Sequence, residues 1–137
     1  MFDQASNAAF PVVYAVETKV QDFEVDKHGA VANFRYAEIY ADFRDAYLRA
    51  AGIDIDVSLP VVMEAHLKYA KFLGPNERYR LELRVKPERL GYTFLAEIHS
   101  LDHHHVSNMS EILILFVKDK SIVRRPIAQV GTVIGLA

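Results

Sequence analysis

The acidic residues just before the chain's long amphipathic segment are the side chains best placed to do chemistry. Asp22, Glu24 and Asp26 alternate within residues 21–33, and a turn around Gly29 follows them. A carboxylate beside a carbonyl group can act as a general base or as a nucleophile. If a helix begins directly after the turn, its unpaired first amides and its dipole would stabilise negative charge on the carbonyl oxygen. The stretch therefore has the parts needed for reaction at a carbonyl.

Residues 34–51 have the periodicity of that helix. Apolar side chains recur at three- and four-residue steps and form a single stripe, made of Tyr36, Ile39, Tyr40, Phe43, Tyr47 and Ala50 or Ala51. Asn33 is the predicted N-cap, because its side-chain oxygen can accept a hydrogen bond from a free amide of the first turn. Gly52 is the predicted C-terminal stop.

The remaining segments read as β-strands. The predicted strands cover residues 12–20, 61–72, 78–86, 92–99 and 112–117. In the second of them, the predicted apolar face holds Val61, Met63, Ala65, Leu67 and Tyr69, and the polar face holds Glu64, His66 and Lys68. The continuous apolar run 112–117 is typical of a strand buried on both faces, and residues 101–108 read as a turn.

One strand, one helix and four further strands define the α+β class. Because the last four strands are joined by short connections, they are expected to form an antiparallel meander. We expect this sheet to curve around the helix and bury the aromatic stripe. Its other face would stay partly apolar, which favours an oligomer.

Bulk properties narrow the function classes. The chain has 137 residues, 51% of them hydrophobic, so residues 1–137 are expected to form a single domain. Charges of both signs are mixed to a net charge of -2, with no basic stripe for a nucleic acid. There is no cysteine, hence no disulfide and no thiolate metal site. The N-terminus is a poor signal peptide, and no stretch reaches the roughly 18 apolar residues of a membrane span, so a cytoplasmic protein without membrane contact is expected.

Two spaced patterns follow one another in the central stretch, and their order is informative. They are Asp26-x-x-Gly29-x-Val31-x-Asn33-x-x-Tyr36 and Arg44-x-x-x-Leu48-x-x-x-Gly52. The following strand adds Val61-Val62-Met63-Glu64-Ala65, Leu67-Lys68-Tyr69 and Leu73-Gly74. In this order, over roughly residues 14–125, the chain resembles the 4-hydroxybenzoyl-CoA thioesterase-like acyl-CoA thioesterases of the hotdog superfamily.

The resemblance implies a hotdog fold, an antiparallel sheet wrapped around one long central helix. It also implies hydrolysis of an acyl-CoA to free acid and CoA by a homodimer or homotetramer, with sites at the subunit interface and no cofactor or metal. Asp26 takes the position of the catalytic carboxylate, as base or as nucleophile. Asn33 and Phe34 fall at the helix start, where the family's backbone amides face the thioester carbonyl. The acyl group stays open.

The chain departs from the family where the substrate would bind. Many relatives read G-H-V-N-N after the aspartate, whereas this chain reads Gly29-Ala30-Val31-Ala32-Asn33. Met109 and Glu111 stand near the last strand, where relatives often carry a small residue and a threonine. These differences keep a non-catalytic acyl-CoA-binding hotdog protein in view as the alternative. A hotdog dehydratase ranks last, because it would pair a histidine with a carboxylate in a different arrangement.

Further candidates have both a functional and a structural interpretation. Glu64 is the backup carboxylate, but it also fits a polar strand face. Tyr40 is a candidate for substrate binding, although the aromatic stripe to which it belongs is explained first as part of the hydrophobic core. Arg124 and Arg125 are candidates for the CoA phosphates or an ordinary exposed basic cluster. The run Asp102-His103-His104-His105 is better explained as a solvated loop than as a metal site, because consecutive turn residues point apart.

Overall fold

The computed structural model describes residues 10–135. Within them the elements are β1 (Val12–Lys19), a short 3-10 helix (Asp22–Glu24), α1 (Asn33–Ala50), β2 (Leu59–Tyr69), β3 (Arg78–Pro87), β4 (Tyr92–Ser100), β5 (His105–Lys118) and β6 (Ser121–Ile122). The α+β class is confirmed, and so is the predicted antiparallel sheet against one long helix. None of the helices in this part of the chain is long and apolar enough to span a membrane.

The order of the strands differs from the predicted meander. The sheet runs β1-β3-β4-β5-β2, so β2 pairs with β5 and not with β3, while the short β6 adds to the end of β5. The meander prediction was wrong because the connection 70–77 crosses the start of α1. Leu73, fully buried, accepts a hydrogen bond from the Val31 amide at 3.0 Å and donates its own amide to the Tyr36 hydroxyl at 2.9 Å. These bonds hold the crossing chain to the helix.

Both ends of α1 lie within a residue of the predicted positions, but the N-cap is different. Ala32 is the N-cap, with extended backbone, and no side chain caps the helix; Asn33 is already its first residue. The prediction for Asn33 was therefore wrong. At the other end Gly52 has φ of +86°. Its amide donates to Arg49 and the Ile53 amide donates to Leu48, which is the hydrogen-bond pair of a Schellman stop.

The predicted aromatic stripe is the buried face of α1. Tyr36, Tyr40, Phe43 and Tyr47 are at most 5% exposed and pack against the inner face of the sheet, whereas Ile39 is half-buried. Arg44 is also buried, which the stripe did not predict. Burial of its guanidinium lowers the pKa of Arg44.

A bulge in β2 inverts part of the predicted alternation. Val62 lies opposite Ile114 and Glu64 lies opposite Leu113, so Met63 is the extra residue. Val62 thus shares the inner face with Ala65 and Leu67, while Val61 joins Glu64 and His66 on the outer face. The prediction of one face holding both Val61 and Ala65 was wrong because a two-residue period does not continue through a bulge.

Strand β5 is much longer than residues 112–117. It begins at His105, so the predicted turn 101–108 shrinks to 101–104. Its polar beginning is buried and hydrogen-bonded: the Tyr40 hydroxyl donates to Asn108, and Ser107 donates to the Lys71 carbonyl. The apolar run alternates between buried and half-buried residues, so burial on both faces was also wrong.

Candidate active site

A shallow cavity of about 340 Å³ lies at the start of α1. Its walls are Asp26, His28, Ala30, Val31, Ala32, Asn33 and Phe72. All but one of these residues come from the stretch singled out by the sequence. Phe72 is supplied by the connection that crosses the helix start, and this residue is 56% exposed. The cavity thus combines a carboxylate, a histidine and a mostly apolar wall.

A tight turn fixes the carboxylate of Asp26. The Asp26 amide donates to the Ala30 carbonyl at 2.9 Å, and the Gly29 amide donates to the Asp26 carbonyl at 3.1 Å. Gly29 has φ of +77°, a conformation that glycine adopts without strain. The His28 amide donates to Asp26 Oδ1 at 2.8 Å. Within residues 10–135 the carboxylate makes no other hydrogen bond, so Oδ2 is left to solvent or a ligand.

The helix α1 begins at Asn33, which lines the same cavity as Asp26, and no side chain caps this helix start. Ala32 has only a methyl group, and the first amide bound to its carbonyl is that of Arg35, at 2.9 Å. The amides of Asn33 and Phe34 precede that bond, so they lack a partner within the helix. Together with the helix dipole, they form a local site for a partial negative charge.

Two other predicted residues of this region have different surroundings. Phe34 is 61% exposed, and the Arg35 guanidinium lies over its ring at 4.9 Å and over the ring of Phe23 at 5.5 Å. Tyr40 is 2% exposed, does not line the cavity and donates its hydroxyl to Asn108. Burial raises the pKa of Tyr40 well above its ordinary value, which keeps the hydroxyl protonated.

Glu64 and the arginine pair lie apart from Asp26 within one chain. Glu64 is on the outer face of the sheet, 3.4 Å from His66. Arg124 and Arg125 line a different cavity of about 290 Å³ between the β3–β4 turn and residues 123–130. Val123 and Ile127 of this cavity also lie beside Gly52 and Ile53, which directly follow the C-terminal end of α1, and the 18 residues of α1 span about 27 Å. The structure adds Arg89 to its rim, which the sequence did not single out.

The histidine run does not converge on one point. Asp102 is tied to Arg78 by its side chain at 2.8 Å and by the Arg78 amide, and these bonds lower the pKa of Asp102. His103 and His105 stack with their ring centroids 5.8 Å apart, and His104 has φ of +58°. This agrees with the interpretation as a loop, although His105 already belongs to β5.

The fold is that of known thioesterases. The chain superposes on a thioesterase-superfamily protein from Jannaschia sp. CCS1 with a TM-score of 0.71 and 22% identity, over 88% of this chain and 79% of that one. A DHNA-CoA thioesterase from Staphylococcus aureus matches with 0.70 and 19%, over 80% and 78%. A hypothetical protein from the same species, solved in complex with CoA, matches with 0.76 and 11%, over 85% and 78%.

These likenesses establish the hotdog fold for this chain. No protein-family model matches the chain, and no curated protein matches it in sequence.

Proposed function

We propose that the protein is an acyl-CoA thioesterase that hydrolyses an acyl-CoA thioester to free acid and CoA at the cavity beside Asp26. The observation that carries the proposal is that a carboxylate with a free oxygen and the uncapped start of a helix line one small cavity. A thioester carbonyl seated there would have its oxygen at the amides of Asn33 and Phe34. Its carbon would then face Asp26, so the developing oxyanion is stabilised where the attack occurs.

Thioester hydrolysis could follow either of two routes at this site. In the first, Asp26 removes a proton from a water molecule, the hydroxide adds to the carbonyl carbon, and the C–S bond breaks to release CoA thiolate and the acid. In the second, an Asp26 oxygen adds to the carbon and expels CoA thiolate, leaving a mixed anhydride that water then hydrolyses. In both routes the same amides bind the oxyanion.

The two alanines that depart from the family pattern form part of the cavity wall. Ala30 and Ala32 put methyl groups where relatives carry a histidine and an asparagine. They remove polar side chains and leave the carboxylate and the backbone amides in place. The chemistry proposed here uses only groups that are retained, which favours an enzyme over a non-catalytic acyl-CoA-binding protein.

A panel of acyl-CoAs tests the activity. Short, long and aromatic acyl-CoAs are incubated with the protein, and the released CoA is measured with a thiol reagent. We expect turnover of at least one substrate. Binding of acyl-CoAs without release of thiol from any of them would support the non-catalytic alternative and refute the thioesterase.

A homodimer through the edge of β2 completes the proposal. One side of β2 pairs with β5, and its other side has no partner strand within residues 10–135. Leu59, Val61, Val62 and Met63 expose 38 to 57% of their surface there. Long edge strands with exposed apolar residues are normally covered. A second copy related by a twofold axis would add its own β2 antiparallel and extend the sheet.

Met63→Lys is expected to convert the dimer to a monomer. The residue is 57% exposed at the bulge, and two copies of the new charge would meet near the twofold axis. Light scattering after gel filtration should show the mass fall from twice 15.5 kDa to 15.5 kDa. Val133→Lys is the matched control, because it makes the same kind of change at a residue of similar exposure, 53%, outside β2. A wild-type protein that is already monomeric would contradict the interface.

The same dimer geometry supports a role for the cavity lined by Arg124 and Arg125. Antiparallel pairing of two β2 strands places the Tyr69 end of one strand at the Leu59 end of the other. The Tyr69 hydroxyl donates to the Asn33 carbonyl at 3.4 Å, so the Tyr69 end of β2 lies at the start of α1, where the Asp26 cavity is. Leu59 pairs with Val117, next to β6 and the start of residues 123–130. We therefore propose that Arg124 and Arg125, with Arg89, bind CoA phosphates for the site of the other subunit.

A further inference from the structure

Three side chains that bind metals elsewhere converge on the outer face of the sheet, on the side opposite α1. Glu82 in β3 lies directly across from Glu97 in β4, and His99 is two residues further along β4 on the same face. One ligand atom from each of the three lies within 4.8 Å of the others. All three residues are half-buried, so the sheet surface limits their movement.

The imidazole of His99 has two close oxygens but no aligned hydrogen bond. Its Nε2 is 2.9 Å from Glu97 Oε2 and 3.2 Å from Glu82 Oε1. The nitrogen is nevertheless a buried atom without a hydrogen-bond partner in the part of the chain that the structure describes. Neither oxygen therefore lies along the in-plane direction of Nε2. A cation on that direction could bond to the nitrogen while the carboxylates approach it from the sides.

We propose that Glu82, Glu97 and His99 form a binding site for Zn²⁺. Zinc binds imidazole nitrogen at 2.0–2.1 Å and carboxylate oxygen at 2.0–2.2 Å, so tetrahedral ligand atoms are about 3.3 Å apart. The observed 2.9 and 3.2 Å are close to this spacing. One nitrogen and two oxygens suit Zn²⁺ better than Mg²⁺ or Ca²⁺, which take six or more oxygens. A water molecule would be the fourth ligand.

Neighbouring charges position the carboxylates. Arg80 Nε contacts the other oxygen of Glu82 at 3.1 Å and its Nη1 contacts Glu17 at 3.5 Å. This contact leaves Glu82 Oε1 directed at His99. Arg80 and Arg84 also add positive charge near the site, so it should bind zinc more weakly than a closed four-ligand site. Zinc would tie β3 to β4 across their outer face, on the far side of the sheet from Asp26.

Calorimetric titration of untagged, metal-free protein with zinc chloride at pH 8 tests the site. The adjacent carboxylate of Glu97 raises the pKa of His99, so an alkaline buffer keeps the imidazole neutral. We expect one Zn²⁺ per chain and a rise in Tm on adding zinc. His99→Gln and Glu97→Gln should each weaken binding at least tenfold and remove the rise in Tm.

His66→Gln is the matched control for this titration. Glu64 and His66 form a histidine–carboxylate pair at 3.4 Å on the same outer face, and within residues 10–135 no third side chain completes a metal-binding group with them. The control should bind zinc as tightly as the wild type. Equal affinity of wild type and His99→Gln, or an equal loss in His66→Gln, would overturn the proposal. If the His99 variant does not fold by circular dichroism, Glu82→Gln decides in its place.

Discussion

Asp26→Asn is expected to lower kcat for acyl-CoA hydrolysis by about 100- to 10,000-fold, the usual contribution of a general base. The amide side chain keeps the size of the carboxylate and can still accept from the His28 amide, so the turn should persist. It can neither deprotonate water nor attack the thioester. Because the residue is exposed, Tm should change little. Released thiol gives the rate, and circular dichroism confirms the fold.

Asp22→Asn is the control for this prediction. Asp22 belongs to the same acidic segment and is exposed, but it does not line the Asp26 cavity. Its substitution removes the same charge nearby and should leave kcat unchanged. If Asp26→Asn hydrolyses its substrate at the wild-type rate, Asp26 is not catalytic. Glu64→Gln would then be the next variant to measure.

The same reaction separates the two chemical routes. A single turnover in ¹⁸O-labelled water, with enzyme in excess, leaves the label in the acid product when Asp26 acts as a base. With an anhydride, water can attack the Asp26 carbonyl and leave the label in the protein. Mass spectrometry of the peptide containing Asp26 would detect it.

The periodicity of the sequence predicted the helix and the strand whose burial depends only on neighbouring residues. The three- and four-residue spacing of Tyr36, Tyr40 and Tyr47 located α1 and its buried face. The strict alternation of Tyr79, Leu81 and Leu83 located β3. In each case a single continuous period connects sequence to burial, and no distant contact is needed to interpret it.

The misplaced features depend on contacts between distant residues. The position of β2 beside β5 depends on bonds from Leu73 to Val31 and Tyr36, which no periodicity encodes. The polar start of β5 looked like a loop because the Tyr40 hydroxyl that satisfies Asn108 is 68 residues away. The bulge at Met63 likewise changes the facing of β2 without a distinctive residue type.

In the candidate site, too, the residues that are close in sequence were predictable and those brought in by distant contacts were not. Asp26, Gly29 and the helix start are close in sequence, so their proximity was predictable. Phe72 was not, since it reaches the cavity through the crossing connection. Arg89 was not, since it meets Arg124 and Arg125 only because the β3–β4 turn faces residues 123–130. These arginines lie far from Asp26 within one chain, so they can serve an Asp26 site only if a second subunit brings them to it.

A mixed dimer of two variants is expected to hydrolyse acyl-CoA with the wild-type KM, which neither parent homodimer can do. One subunit carries Asp26→Asn and the other carries Arg124→Ala and Arg125→Ala. The first homodimer should be inactive. The second should have a KM raised about tenfold or more, because each lost charge-assisted hydrogen bond is worth roughly 1.5–3 kcal/mol.

If the arginines serve the opposite subunit, the mixed dimer has one site in which both mutations coincide and one site that is intact. The intact site joins Asp26 of the arginine variant to the arginines of the Asp26 variant. Dimers purified through two different tags should then show about half the wild-type kcat with the wild-type KM. If the arginines act within their own chain, every site is damaged and only turnover with the raised KM remains. The value of KM thus decides between the two arrangements, since it does not depend on how many sites are active.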